Sequence, residues 1–512
     1  MRKLKFRSII LFFLALCVLF SGPFELFAAQ TANEEQAPGR TMAQQATKKN
    51  QLWITADHSK HAILQQEFTA GPQVTKACLS CHSEAATQFH KTIHWTWLDP
   101  NVPPQERVGK AGLSINNFCI AMPGSYPRCT SCHAGYGFKD MSFDFSDQTK
   151  VDCLVCHEQT GTYKKFPAGA GNPAPKPMVF KGNGKTYFPP QWNKVAQSVG
   201  RPTRKNCGTC HFFGGGGDGV KHGDMDSSLM KPNKELDVHM GLDGKNFDCV
   251  RCHTTETHRI AGRTYATPAA TDRKSLVEDD TIAKITCESC HTATPHKAGE
   301  KPNDHTDKVA CQSCHIPEFA RVNPTKMWWD WSKAGQKKDG KPFKKKGEFG
   351  KPVYFTLKGD MSWGKNVKPE YDWYNGSIAA VTANDMVDPS KPIQINWPVG
   401  SQNDPNSRIS PFKVHRGKQP YDKINKTLLI PHLFGKKGSS AYWADWDWKK
   451  ALESGSSKAG TKFSGEFDFV ETSYIFPITH MVAPKDKSLT CTECHSKTDS
   501  RLSNLKGFYM PG

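Results

Sequence analysis

Sixteen of the 18 cysteines stand in eight copies of one pattern, Cys-x-x-Cys-His. The copies are Cys78–Cys81–His82, Cys129–Cys132–His133, Cys153–Cys156–His157, Cys207–Cys210–His211, Cys249–Cys252–His253, Cys287–Cys290–His291, Cys311–Cys314–His315 and Cys491–Cys494–His495. This is the attachment pattern for c-type haem. Two thiols add across the vinyl groups, and the next histidine is held under the porphyrin where it can ligate iron. Zinc sites pair two Cys-x-x-Cys units and need no histidine after each. Disulfide frameworks need none either. Eight repeats of the full pattern favour haem over both, and the expected cofactor is eight covalently attached haems c.

The chain has 20 histidines, and the eight in motifs leave 12: His58, His61, His90, His94, His222, His239, His258, His296, His305, His415, His432 and His480. A haem that passes electrons has two axial ligands, often both histidine, whereas a haem that does chemistry keeps one position open. His258 follows His253 by five residues, His296 follows His291 by five, His305 precedes Cys311 by six and His480 precedes Cys491 by 11. That local spacing suits a ligand to a neighbouring haem. With His222 and His239, these are read as distal ligands. His90 and His415 are weaker candidates.

The second motif differs from the rest. No spare histidine occurs between 95 and 132 or between 134 and 156. Near it lie Cys119, the one cysteine outside both the motifs and the N-terminal apolar run, and the stretch Asp147-Gln148-Thr149-Lys150. A lysine ligates iron only when deprotonated, so the metal must offset the loss of its proton. From spacing alone Lys150 reads first as a solvated surface residue, and Cys119 either as a buried, unreactive thiol or as a catalytic group that attacks or holds a sulfur substrate.

Several stretches resemble the octahaem tetrathionate reductase family of periplasmic cytochromes. They are Ala56-Asp57-His58-Ser59-Lys60, Thr92-Ile93-His94-Trp95-Thr96-Trp97, Asn117-Phe118-Cys119-Ile120, Val220-Lys221-His222-Gly223-Asp224, Pro411-Phe412-Lys413-Val414-His415 and His480-Met481-Val482-Ala483-Pro484. The resemblance implies that the second haem is the active site. Lys150 would replace His133 on its iron, beside Asp147, with the opposite face open to substrate. It also implies that His58 and His94 are distal ligands. The related octahaem nitrite reductases carry Cys-x-x-Cys-Lys, which is absent here.

Elements must hold these groups in place. Seven motifs fall between Cys78 and His315, with frequent Pro and Gly and the run Gly214–Gly217. So tight a spacing predicts a mainly α fold of short helices and extensive irregular loops around a chain of packed haems. Residues 316–480 hold no motif and are aromatic and basic, with Trp328, Trp329 and Trp331 ahead of a lysine-rich run from Lys333 to Lys346. Tyr442 to Ser454 reads as a helix stopped by Gly455. The expected organisation is a signal peptide (1–29), a flexible lead-in (30–50), a seven-haem region (51–315), the haem-free region (316–480), and the eighth haem with the C-terminus (481–512). Arg2, Lys3, Lys5 and Arg7, the apolar run Ser8–Phe20 and Ala28-Ala29 make the export signal. It implies a periplasmic protein that is not embedded in a membrane once the signal is removed.

The net charge is +19. Haem propionates account for much of the excess, so nucleic acid is not expected as a partner. A small anionic substrate and a periplasmic or membrane-bound redox donor, such as a quinol-linked cytochrome, are. Two functions follow. The chain is a reductase of tetrathionate, nitrite or hydroxylamine at the second haem, or an electron carrier in which every haem is six-coordinate.

Overall fold

The computed structural model describes residues 56–99, 102–253, 255–262 and 287–507. The signal peptide and lead-in lie outside the described residues. These fall into two compact units, one holding residues 287–306 and the other the remainder.

The motif-bearing part follows the expectation of short helices. Gly71–Leu79, Cys153–His157, Arg204–His211, Cys249–Cys252, Cys311–His315 and Cys491–Cys494 are helical turns that carry all or part of a motif. One turn of helix brings residues i and i+3 to the same side, which is where both thiols must stand to reach one porphyrin. Several turns are fixed by caps. The Asp152 carboxylate accepts from the Val155 N–H at 3.1 Å, and Asn206 accepts from the Thr203 N–H at 2.9 Å. The second motif differs, being a 3₁₀ turn over Cys129–Cys132. In the smaller unit the sixth motif forms the turn Glu288–His291, and Asn303 ties back to the His296 backbone at 3.0 and 3.1 Å.

The expectation of a mainly α fold is wrong. The haem-free region supplies all eight strands of one sheet: β1 Thr325–Asp330, β2 Lys344–Lys346, β3 Pro352–Phe355, β4 Gly359–Gly364, β5 Glu370–Tyr374, β6 Ile393–Gln394, β7 Arg408–Asp422 and β8 Phe467–Pro477. The order is β6-β8-β7-β1-β4-β3-β2, with β5 also on β7. The strand β7 is antiparallel to β8 from Phe412 to Asp422. On its other side it pairs with β5 at Arg408–Pro411 and then, in parallel, with β1 at Arg416–Lys418. Aromatic and β-branched residues such as Trp328, Trp329, Tyr474, Ile475 and Phe476 suit a pleated, half-buried surface. Lysines and prolines between them hide the period of two.

The predicted helix at Tyr442 is two helices, Tyr442–Asp445 and Trp448–Ala459, separated by Trp446 in the left-handed region (φ 62°). Gly455 is inside the second, not at its end. A Cβ there would meet the Ile430 carbonyl at 1.9 Å, so the glycine permits a close backbone approach. The sheet packs on Ile115, Phe118, Ile120, Trp329, Trp331 and Phe476, all buried. Among the described residues no helix is long and apolar enough to cross a membrane.

Candidate haem centres and the second motif

Motifs far apart in sequence meet in space. The thiols of Cys78 and Cys153 lie against each other, as do those of Cys132 and Cys210 and of Cys207 and Cys249. Cys156 lies within electrostatic reach of Cys207 and Cys210. The seventh and eighth motifs also adjoin, since the Leu489 N–H donates to the Cys314 carbonyl at 2.9 Å. The fourth motif therefore borders the second, third and fifth.

Haem fits these residues. A metal–imidazole bond is about 2 Å, so two rings facing across one iron have centroids about 6 Å apart. His58 and His82 stand at 6.3 Å and 18°, His253 and His480 at 6.2 Å and 21°, and His94 and His211 at 6.1 Å. His211 has an exposed ring that sits deep in the molecule, where desolvation pushes its pKa down to about 3. A flat macrocycle would fill a slot of that shape. The partners on Nδ1 leave Nε2 free, as ligation through Nε2 requires. His157 Nδ1 donates to the Gly200 carbonyl at 3.0 Å, and His253 Nδ1 to the Ala261 carbonyl at 2.9 Å. His480 Nδ1 meets Asp224 at 3.1 Å.

His58, His94 and His480 thus come beside motif histidines. His258 bonds Gln88 through Nδ1 at 3.0 Å and lies within electrostatic reach of His157. His222 lies 5.1 Å from Phe476, with burial holding its pKa well down. His239 stacks on Phe247 at 6.2 Å. His296 and His305 belong to the smaller unit, with His291. His315 accepts from the Ala483 N–H at 2.9 Å, and His495 closes the last motif turn.

His133 is turned the other way. Its Nε2 lies 2.7 Å from the Trp95 carbonyl, which can only accept, so Nε2 carries the proton and has no lone pair to offer. The ring is fully buried among Trp95, Trp97, Phe138 and Phe143, at 5.0 to 5.5 Å. Burial pushes its pKa down to about 3. Lys150 Nζ sits 5.2 Å from the same Phe143 ring and 3.6 Å from Asp147. Asp147 caps the Gln148–Lys150 turn, accepting from the Thr149 N–H at 2.9 Å and hydroxyl at 2.7 Å. These hydrogen bonds hold its carboxyl below the usual carboxylate range.

Backbone bonds join the two segments. The Tyr136 N–H donates to the Lys150 carbonyl at 2.9 Å, and Gly135 bridges Val151. Beneath them Asp152 pairs with Lys165 at 2.9 Å, and accepts from the Tyr136 and Tyr163 hydroxyls at 2.8 Å each. Lys165 also donates to the His133 carbonyl.

Sequence reasoning missed the cationic residues that the sheet supplies. Lys326 is 2% exposed, and its Nζ meets the Met361 sulfur at 3.0 Å and the Trp329 face at 3.5 Å. Among the described residues no carboxylate lies within 4.0 Å of it. Lys358 Nζ stands 5.2 Å from the same indole. Burial lowers the pKa of both lysines. Lys413 is fully buried and donates to the Val220 and Lys221 carbonyls at 3.0 Å each. His415 is also fully buried, with neither ring nitrogen partnered. The available signal was local: Lys413 and His415 alternate along β7, on the face that points inward.

Three cytochrome family models match parts of the chain. "Cytochrome c554 and c-prime" matches residues 77–158, "outer membrane cytochrome MtrC/MtrF-like, domains II/IV" residues 124–294, and "cytochrome c bacterial" residues 326–498. An uncharacterised protein of Archaeoglobus fulgidus is 24% identical over 243 residues, 40% of this chain and 80% of its own. The solved octahaem cytochrome c of Shewanella oneidensis is 44% identical, with a TM-score of 0.75, over 88% of this chain and 95% of its own. With c-type haem as its cofactor, the chain belongs to the octahaem cytochrome c family.

Proposed function

We propose that this is a periplasmic reductase carrying eight haems c, one per motif, with the reaction centre at the second. Its substrate is a small oxidised sulfur or nitrogen compound: tetrathionate, nitrite or hydroxylamine. The observation that carries the reading is the orientation of His133. Its Nε2 proton is committed to the Trp95 carbonyl, while Lys150 is tied to the same motif by backbone bonds. Haem c supplies one-electron redox change and, with one axial position free, a place for a ligand. Lys150 would be the protein ligand on the other side. Asp147, at 3.6 Å, is placed to orient the amine and to take up its proton. Lys326 and Lys358 would attract an anion and stabilise negative charge as it develops. His58, His94 and His480 fit the role of distal ligands at the first, fourth and fifth motifs, and His222, His239, His258, His296 and His305 are the candidates for the others.

The test is Lys150→Ala. Reduction of all three compounds should fall at least a hundredfold, while intact mass still shows eight attached haems. The spectrum should lose the signal of a nitrogen-ligated second haem. Unchanged turnover would refute the assignment.

The second reading, an electron carrier, draws on the three histidine pairs near 6 Å, which suit six-coordinate iron. A fully low-spin spectrum that ignores added nitrite or cyanide would favour it. The donor is expected to be a periplasmic or membrane-bound redox protein.

A further inference from the structure

We propose that Lys165 is a positioning residue of the reaction centre. It holds the second motif in a turn that keeps the His133 ring off the iron and leaves that place to Lys150. The inference rests on the reading of Lys150 as the axial ligand, and it adds what prevents the motif's own histidine from ligating.

The second motif is wound more tightly than its counterparts. In four other motifs the histidine N–H donates four residues back, to the carbonyl of the first cysteine. His82 donates to Cys78, His253 to Cys249 and His291 to Cys287 at 2.9 Å each, and His495 to Cys491 at 2.8 Å. His133 donates instead to the Thr130 carbonyl, three residues back, at 2.9 Å. A 3₁₀ turn takes about 3.0 residues per turn in place of about 3.6, so the four steps from Cys129 carry the histidine roughly 80° further round the axis. The backbone of His133 then leaves in an extended conformation, with ψ 137°.

The segment from Tyr163 to Asn172 holds this geometry. The Lys165 side chain is 6% exposed, and its ammonium has three acceptors: the His133 carbonyl, the Gly135 carbonyl at 3.5 Å and the Asp152 carboxylate at 2.9 Å. Three acceptors use all three of its protons. Asp152 is itself fixed, by the Tyr136 and Tyr163 hydroxyls and by the Val155 N–H that it caps, so it anchors the ammonium. Around this point the Gly137 and Phe138 N–H groups donate to the Ala170 carbonyl at 2.9 and 3.0 Å, and the Thr130 hydroxyl donates to the Phe138 carbonyl at 2.6 Å. Gly171, at φ 88°, comes so near that a Cβ would meet the Gly135 carbonyl at 2.0 Å.

A buried ion pair adds little net stability over apolar packing of the same volume. Here it fixes one backbone geometry. Without the ammonium, the loop is free to take the hydrogen bond to Cys129 that the other motifs use, and His133 Nε2 can exchange the Trp95 carbonyl for iron.

The experiment uses holoprotein carrying Lys165→Met and Asp152→Asn together, so that no buried carboxylate is left unpaired. Intact mass should show eight attached haems. A five-coordinate ferrous haem held by imidazole gives an iron–histidine stretching band in resonance Raman spectra, and six-coordinate haems do not. The reduced wild type should lack this band. Pulsed electron paramagnetic resonance of oxidised wild type grown on isotope-labelled lysine should show one haem iron coupled to the labelled nitrogen. In the variant that coupling should be lost, and the band should appear and shift when histidine is labelled. A variant that keeps the lysine coupling, or loses it without gaining the band, overturns this inference while the reading of Lys150 stands. A wild type without the lysine coupling overturns the reading of Lys150 and this inference with it. Where the methionine variant does not carry eight haems, Lys165→Gln with Asp152→Asn is read by the same criteria.

Discussion

A histidine that follows Cys-x-x-Cys is expected to hold iron, yet which ring nitrogen carries a proton decides whether it can. His157 and His253 spend Nδ1 on carbonyls and keep Nε2 free, whereas His133 spends Nε2. The Cys-x-x-Cys-His pattern is legible in the sequence because it is local. The tautomer of His133 was not, since its partner is the backbone of Trp95, 38 residues away. The lysines were invisible for a similar reason: a lysine reads as a surface residue until a sheet buries it. Lys326 yields a prediction. Lys326→Met should raise KM for tetrathionate and nitrite about tenfold, the effect of ~1.4 kcal/mol of lost attraction. Steady-state kinetics should leave KM for hydroxylamine, uncharged at neutral pH, within about twofold. The pH dependence has a definite sign. Burial holds the folded pKa of Lys326 well below its ordinary 10.5. Between the folded value and 10.5 the unfolded chain binds a proton that the native state does not, so stability rises with pH across that window. A bound anion favours the ammonium. Thermal melts with sulfate should therefore show a larger rise in Tm at pH 7 than at pH 10.

At the scale of elements, the helical turns were legible and the sheet was not. Each turn is defined within five residues by a motif and a cap, while β7 is defined by three partner strands up to 88 positions away, as Arg416 pairing Trp328 and Ser473 illustrates. Read by composition, the haem-free region looked like aromatic packing. Its alternation is real but broken by Pro411, Gly417 and Pro420. The sheet's link to the turn at Asn116–Ile120, which carries Cys119, passes through Trp331, which is fully buried, stacks on Trp329 at 4.7 Å and bonds the Phe118 carbonyl. Trp331→Ala should destabilise the protein by ~3–5 kcal/mol. It should also loosen the turn, so that iodoacetamide alkylates Cys119 faster than in the wild type. Denaturant titration and timed alkylation would check the two effects.

For the whole molecule, the positive charge left of the chain's +19 once haem propionates are counted reaches beyond any one contact. Attraction between exposed charges is screened within about 10 Å at 0.1 M salt. The specificity constant kcat/KM for tetrathionate should therefore fall several-fold between low salt and about 0.5 M salt, while that for hydroxylamine stays nearly level. Motif order along the chain is not motif order in space: the first motif meets the third, and the fourth meets the second, third and fifth. This bears on how the protein is made. A chain emerging from its N-terminus presents the second motif about 75 residues before the Arg204–His211 turn that adjoins it. The lysines and strands around Cys119 arrive later still, ending with Thr472 and Phe476 on β8. Seven motifs can receive haem before the buried lysines and the strands that enclose them exist. Selectivity is completed last, by a strand that carries no haem.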